Sequence, residues 1–469
     1  MIDRARGRFV RLAALAVASL AATGHGACPG RVISGDYILR VDGRPVDVVR
    51  TPMPEPSIGM IWDELAQQPY SYATFELTNE AEVVVRSGVF DLSATEILPQ
   101  SKGAAAVTRT ADTVVFRMKP STTLVLEPRG RHRPLVLNAN RPDPAPPAPD
   151  DPGVRYFAPG FHRAGHITLR DGETLYLAPG AWVEGFVEGG GRGLRVCGGG
   201  VLSGAAWDWG KGPVTNEWHT LVHLSGRDIE IRDVTLFSSW SWTLLLSDVT
   251  NAVVDNVKVV CGRVINDDGI DISRSKGVVI RNSFVRSMDD TIAPKFWCED
   301  LTVTNCMLWA DAANVFRIGY ECDSRASGKV FRNLFFGDID IVHQTLNRNT
   351  PEEYWANSAI NVQPSNGQTM SDIVFENLRF GPCDPKDVFL NVRTMRIDQD
   401  TPGCLTDEAG TLDGLILRNI ALPDSQGGMI VNLHAFDEAH PIRARFENVR
   451  GYGRVTKSPH ALLETDQDL

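Results

Sequence analysis

The chain runs to 469 residues with a formal net charge of −11, 43% hydrophobic and 22% charged residues, apolar enough for a large buried core and too apolar for a disordered chain. Asp and Glu (58) outnumber Lys and Arg (47), so the basic footprint of a nucleic-acid binder is missing. Beyond the N-terminus no apolar run reaches the roughly 18 residues that a membrane-spanning helix needs.

Residues 1–27 read as a signal peptide. Arg4, Arg6, Arg8 and Arg11 form a basic start, Leu12 to Ala22 an apolar stretch, and small residues follow up to Ala27. Export to the periplasm or the medium is the expectation. Ala27-Cys28 offers lipoprotein anchoring at Cys28 as a minority alternative, because His25 suits the preceding position poorly. The eight cysteines show no CxxC pair and no zinc-type spacing. In an exported chain Cys383 and Cys404 are a candidate disulfide, since both sit near Pro or Gly turns, and others fit as buried small hydrophobes.

Residues 28–140 hold short alternating runs, such as Tyr37 to Val41, Ala81 to Val85 and Thr122 to Leu126, separated by Gly, Pro, Asn and Asp. That pattern predicts a small β-sandwich. Residues 141–154 are Pro-rich, with six prolines between 142 and 152, and read as a semi-rigid linker.

From 155 to 469 a weak repeat appears: an alternating apolar stretch, then Asn or Asp, then an apolar residue. The polar position falls at Asp233, Asn256, Asn282, Asn305, Asn333, Asn377, Asn419 and Asn448. Spacings of 23, 26, 23 and 28 residues give way to 44, 42 and 29, the longer two signalling insertions. Period-two alternation predicts strands, and a repeat of roughly 20–30 residues predicts a solenoid. The spacings are too short for propeller blades, and no helical pattern intervenes. The expected fold is all-β, a right-handed parallel β-helix behind a small sandwich, with Asn at a turn where it tolerates a left-handed backbone and bonds its neighbours above and below.

The densest polar cluster is Asn266-Asp267-Asp268-Gly269-Ile270-Asp271, followed by Met288-Asp289-Asp290-Thr291-Ile292-Ala293-Pro294-Lys295. Asp268 and Asp289 lie 21 residues apart, close to one coil, so they are expected on adjacent rungs of one face. Carboxylates held that near repel each other, which raises at least one pKa and separates an acid from a base. Glycoside hydrolysis uses that division of labour. With Ile292 inward, Asp290 has inward parity, so a bend or bulge is needed to re-aim it. Trp240 and Trp242 share strand parity one coil earlier and are candidate sugar platforms. Lys295, Arg317 and Asn266 are candidate partners for hydroxyls or an acidic group, and Glu321 either joins them or pairs with Arg317. No EF-hand loop is visible, and no metal or cofactor is expected.

Asn266-Asp267-Asp268-Gly269 resembles the N-T-D-G motif of the polygalacturonase family, glycoside hydrolase family 28, and Asp289-Asp290-Thr291-Ile292-Ala293 resembles its D-D-C-I-A motif. The stretch is also similar to the related dextranase and isopullulanase family, family 49, which the sandwich ahead of the helix suits better. Tyr156 through Gly185 resembles the first coils of bacterial β-helix hydrolases of this group. The resemblance spans roughly 155–450 and implies a β-helix that cleaves a polysaccharide or oligosaccharide with inversion. Asp289 would then be the general acid, with Asp268 and Asp290 activating the water. Two family features are missing. Asn314 stands nearest the position of the G-H-G histidine, and no R-I-K follows to grip a uronate. His343, in Val342-His343-Gln344, resembles a stretch of the dextranase family. The expectation is a monomeric polysaccharide hydrolase. A calcium-dependent lyase on the same fold and a non-catalytic carbohydrate-binding helix remain the alternatives.

Overall fold

The computed structural model describes residues 31–54, 68–209, 220–323, 329–344, 357–382, 387–397, 406, 408–423 and 428–466. The signal peptide and Cys28, Cys383 and Cys404 lie outside the described residues. Among the described residues regular helix is limited to one 3-10 turn, Gln100–Lys102, and no helix is long and apolar enough to cross a membrane.

The strands up to residue 140 form two sheets. One has six strands, with Ser71–Glu76, Leu135–Asn140 and Thr122–Arg131 at its centre, and the other has five, around Ala81–Arg86 and Thr113–Met118. Ala81–Arg86 shows why: its alternate residues are buried, and Val83 and Val85 pack with Phe116, Leu124 and Leu137 between the sheets. The Pro-rich stretch that follows is tied down, since Asp143 accepts a hydrogen bond from the Arg232 guanidinium (3.2 Å).

From Val154 to Thr465, 26 strands among the described residues form one continuous parallel sheet in which each strand pairs with its counterpart in the next coil. This is the expected β-helix. Stacked registers such as Leu244 on Ile270 on Ile292 on Phe316 on Ile360 send one apolar ladder into the interior. These side chains are all fully buried, and each contributes about 1.5–3 kcal/mol through loss of contact with water.

All eight polar repeat positions, Asp233 to Asn448, have φ between 50° and 67°. Their amides bond along the stack: Asn256 Nδ2 donates to Asp233 Oδ1 (2.8 Å) and Asn305 Nδ2 to Asn282 Oδ1 (2.7 Å). Each left-handed turn therefore both bends the chain from one strand into the next and ties one coil to its neighbour.

The N-terminal sheets dock on the helix through buried polar contacts. Tyr70 Oη donates to the Cys261 carbonyl (2.7 Å), and Tyr72 Oη meets Thr235 Oγ1 (2.9 Å). His343 belongs to this interface, which corrects its expected role in binding substrate. It is buried, with Nε2 2.5 Å from Glu127 Oε1 and its ring against Trp309. Tyr70→Phe should cost about 1–2 kcal/mol in urea unfolding, because the Cys261 carbonyl is left buried without a donor. The five described cysteines, Cys197, Cys261, Cys298, Cys306 and Cys322, are free and buried.

Candidate active site

The aspartates stand on turns that feed strands of one face. Residues 262–269 loop into the strand Ile270–Arg281, and residues 288–291 bend into Ile292–Thr304. Asp267 organises both turns. Its Oδ2 accepts from the backbone N–H groups of Gly262 (2.7 Å), Arg263 (2.8 Å) and Val264 (3.4 Å), and its Oδ1 from Met288 N–H (2.5 Å). Burial pushes this carboxyl up to about 7, while the four amides act in the opposite sense. Gly269 is required by closeness, since a Cβ there would lie 2.4 Å from both Thr291 O and Val285 Cγ1.

The register differs from the expected one. Ile270 pairs with Ile292, so a coil here is 22 residues and Asp268 stacks on Asp290 rather than on Asp289. Backbone bonds confirm the stack: Thr243 N–H donates to Asp268 O (2.9 Å), Gly269 N–H to Asp290 O (2.8 Å) and Thr291 N–H to Asn314 O (2.9 Å). Trp242, Asp268, Asp290 and Asn314 are thus successive rungs. The bend at 288–291 re-aims Asp290 toward its neighbours, as parity required, and one carboxylate oxygen from each of Asp268, Asp289 and Asp290 lies within 4.8 Å of the others.

Each carboxylate has a different environment. Asp290 is held by Asn314, whose Nδ2 (2.7 Å) and backbone N–H (3.2 Å) both donate to its Oδ1. Asn314 is fixed in turn, its Oδ1 accepting from Ser358 N–H and Asn361 Nδ2, both at 2.9 Å. Asn314 is therefore a support of Asp290, and its amide is not open to substrate. Asp289 is half-buried, with Asn266 Nδ2 3.4 Å from its Oδ2. Burial, together with the charges of Asp268 and Asp290, pushes its carboxyl well above the usual carboxylate range. Asp268 is buried and raised to about 6 by burial, against the pull of Lys295.

Lys295 is not the free hydroxyl binder that the sequence suggested. Its side chain is 4% exposed, with Nζ 2.9 Å from Asp268 Oδ2, 3.0 Å from Asp271 Oδ1 and 3.9 Å from the centre of the Trp242 ring. Burial acts to lower its pKa, but the two carboxylates outweigh it and hold the ammonium well above its ordinary value. Asp271 is fully buried, and burial raises its carboxyl well above the ordinary range despite Lys295. Three carboxylates this close are chemically able to hold a divalent cation, yet the ammonium already supplies a counter-charge.

The remaining expected residues divide. Trp242 is half-buried and flanks Asp268. Trp240 is buried, its ring against Trp207 (4.9 Å) and Phe186 (6.0 Å), which removes it as a sugar platform. The shared parity of the two tryptophans fails because residues 238–243 form a turn, not a strand. Arg317 is buried with its guanidinium over the Tyr320 ring (4.6 Å), and Glu321 is half-buried within the field of Lys295.

Residues 192–310, which include both aspartate turns, match the family model described as glycosyl hydrolases family 28. No curated protein matches the chain by sequence. Among solved structures, Dex49A from Penicillium minioluteum is similar at a TM-score of 0.61 and 14% identity, over 92% of this chain and 92% of that one. A family 28 exopolygalacturonase from Yersinia enterocolitica reaches 0.47 at 12% identity over 94% and 93%. The polygalacturonase from Erwinia carotovora ssp. carotovora reaches 0.43 at 13% over 66% and 87%. The likeness to Dex49A is one of fold across nearly the whole of both chains.

Proposed function

We propose that this chain, a parallel β-helix whose residues 192–310 match the model of glycosyl hydrolases family 28, is exported and hydrolyses a neutral polysaccharide or oligosaccharide with inversion. Asp289 protonates the leaving oxygen, while Asp268 and Asp290 activate the attacking water. The observation that carries this reading is the unequal support of three adjacent carboxylates. Lys295 and Asn314 hold the negative charge on Asp268 and Asp290, and Asp289, with only a long amide contact from Asn266 and a bond from its own neighbour's N–H, is left to keep the proton.

The cations support a neutral substrate. Lys295 is shared between two aspartates and Arg317 is turned onto Tyr320, so neither is placed to receive a uronate, and the R-I-K that would do so is missing from the sequence. Lyase chemistry is disfavoured on the same ground. It needs a basic side chain to take a proton, and the ammonium of Lys295 is held charged by its partners.

The test is a panel of polygalacturonate, dextran and pullulan with product configuration read by NMR. The expected outcome is a new reducing end from a neutral glucan, of configuration opposite to the linkage cleaved, persisting in EDTA. Unsaturated uronate absorbing in the ultraviolet would establish the lyase instead, and tight glycan binding without turnover would establish a binding protein.

A further inference from the structure

Asp271, in the strand that follows the Asp268 turn, completes a buried cluster of charged side chains. Lys295 Nζ sits between Asp268 Oδ2 (2.9 Å) and Asp271 Oδ1 (3.0 Å), with the Trp242 ring closing the third side. Ladder register places this pair. Asp271 pairs with Ala293 and Ser273 with Lys295, so the lysine leaves its strand two residues beyond the rung of Asp271 and folds back over it. Both Asp271 oxygens, and Asp268 Oδ1, are buried without a hydrogen-bond donor of good geometry. One ammonium therefore serves two carboxylates in a buried site, where a shared charge is worth far more than at a surface.

We propose that Asp271 and Lys295 are a positioning pair that acts through Asp268: Lys295 keeps the water-activating carboxylate ionised, and Asp271 limits that effect by drawing on the same ammonium. The proposal rests on the reading of Asp268 as part of the hydrolytic centre. The charged groups facing Asp268 are Lys295 on its own face, Asp271 along its own strand, Asp289 and Asp290 on the next turn, and Glu321 one coil further. Removing either member of the pair moves Asp268 in opposite directions. Without Lys295 the carboxylate loses its cation and holds its proton to higher pH. Without the charge of Asp271 the whole ammonium falls to Asp268, which then gives up its proton at lower pH.

The experiment is the pH profile of kcat/KM on whichever panel glycan the parent hydrolyses, for Lys295→Met, Lys295→Arg and Asp271→Asn in the full chain. Lys295→Met should shift the acid limb up by about one pH unit, Asp271→Asn should shift it down by a similar amount, and Lys295→Arg should leave it near the parent position. Circular dichroism identifies any variant that fails to fold, and Asp271→Asn, nearly isosteric, keeps the test open if Lys295→Met does so. Equal losses of kcat with an unmoved limb in both variants would reduce the pair to a structural ion cluster and overturn the proposal. A parent that hydrolyses no glycan would overturn the hydrolytic reading itself, a result separable from the first.

Discussion

Asp289→Asn should lower the rate of glycosidic cleavage by about 10³-fold or more while leaving the helix folded. Asparagine keeps the shape and removes the proton that the leaving oxygen needs. Asp268 and Asp290 push the Asp289 carboxyl toward its neutral form, so the neutral amide should leave the melting temperature unchanged where Asp289 is protonated and raise it at higher pH, where the parent carboxyl would be charged. The parent enzyme should have a bell-shaped profile. Activity falls as pH drops through about 6, where Asp268 takes up a proton and ceases to act on water. It falls again as pH rises through the elevated value of Asp289, where the acid is lost. These limbs belong to the coupled cluster rather than to single residues. Full activity in Asp289→Asn would move the acid elsewhere, and a variant that unfolds would make the carboxyl structural.

The β-helix was legible because its signal is local and repeated. The Asn or Asp of each coil marks a left-handed turn, and all eight marked positions have one. The aspartate trio was legible for a related reason, as two turn motifs about one coil apart meet in space whatever the exact register. What failed was extending strand parity through turns. Trp240 and Trp242 were read as sharing a face, and Asp268 was aligned with Asp289, although these residues lie where the alternation is interrupted. His343 failed differently. Its partner Glu127 is 216 residues away on another sheet, and no spacing rule reaches that far. Asp271 was within reach. With Ile270 inward it had to face outward, and the 22-residue register sets it against Ala293, two residues from Lys295 on the same face.

The junction between the N-terminal sheets and the helix yields the other large effect. Arg286 is buried between the rings of Tyr70 and Trp309, 3.9 Å from each ring centre, and its Nε donates to Asp311 Oδ2 at 2.8 Å. Asp311 also accepts from Trp309 Nε1 (2.8 Å). Arg286→Ala removes the cation and the packing together, leaving the Asp311 carboxylate buried without its cation. Breaking a buried pair from one side costs about 3–5 kcal/mol, more than half the stability of many domains. The double variant Arg286→Met with Asp311→Leu should recover most of that loss, because no orphaned charge remains. The damage should also reach the chemistry. Arg286 is followed directly by Ser287, whose hydroxyl donates to the Asp289 carbonyl (2.9 Å), so a loosened arginine frees the turn that carries the acid. Arg286→Ala should therefore lose activity at denaturant concentrations where its circular dichroism is still native, and coincident loss of the two signals would show that the junction contributes to stability alone.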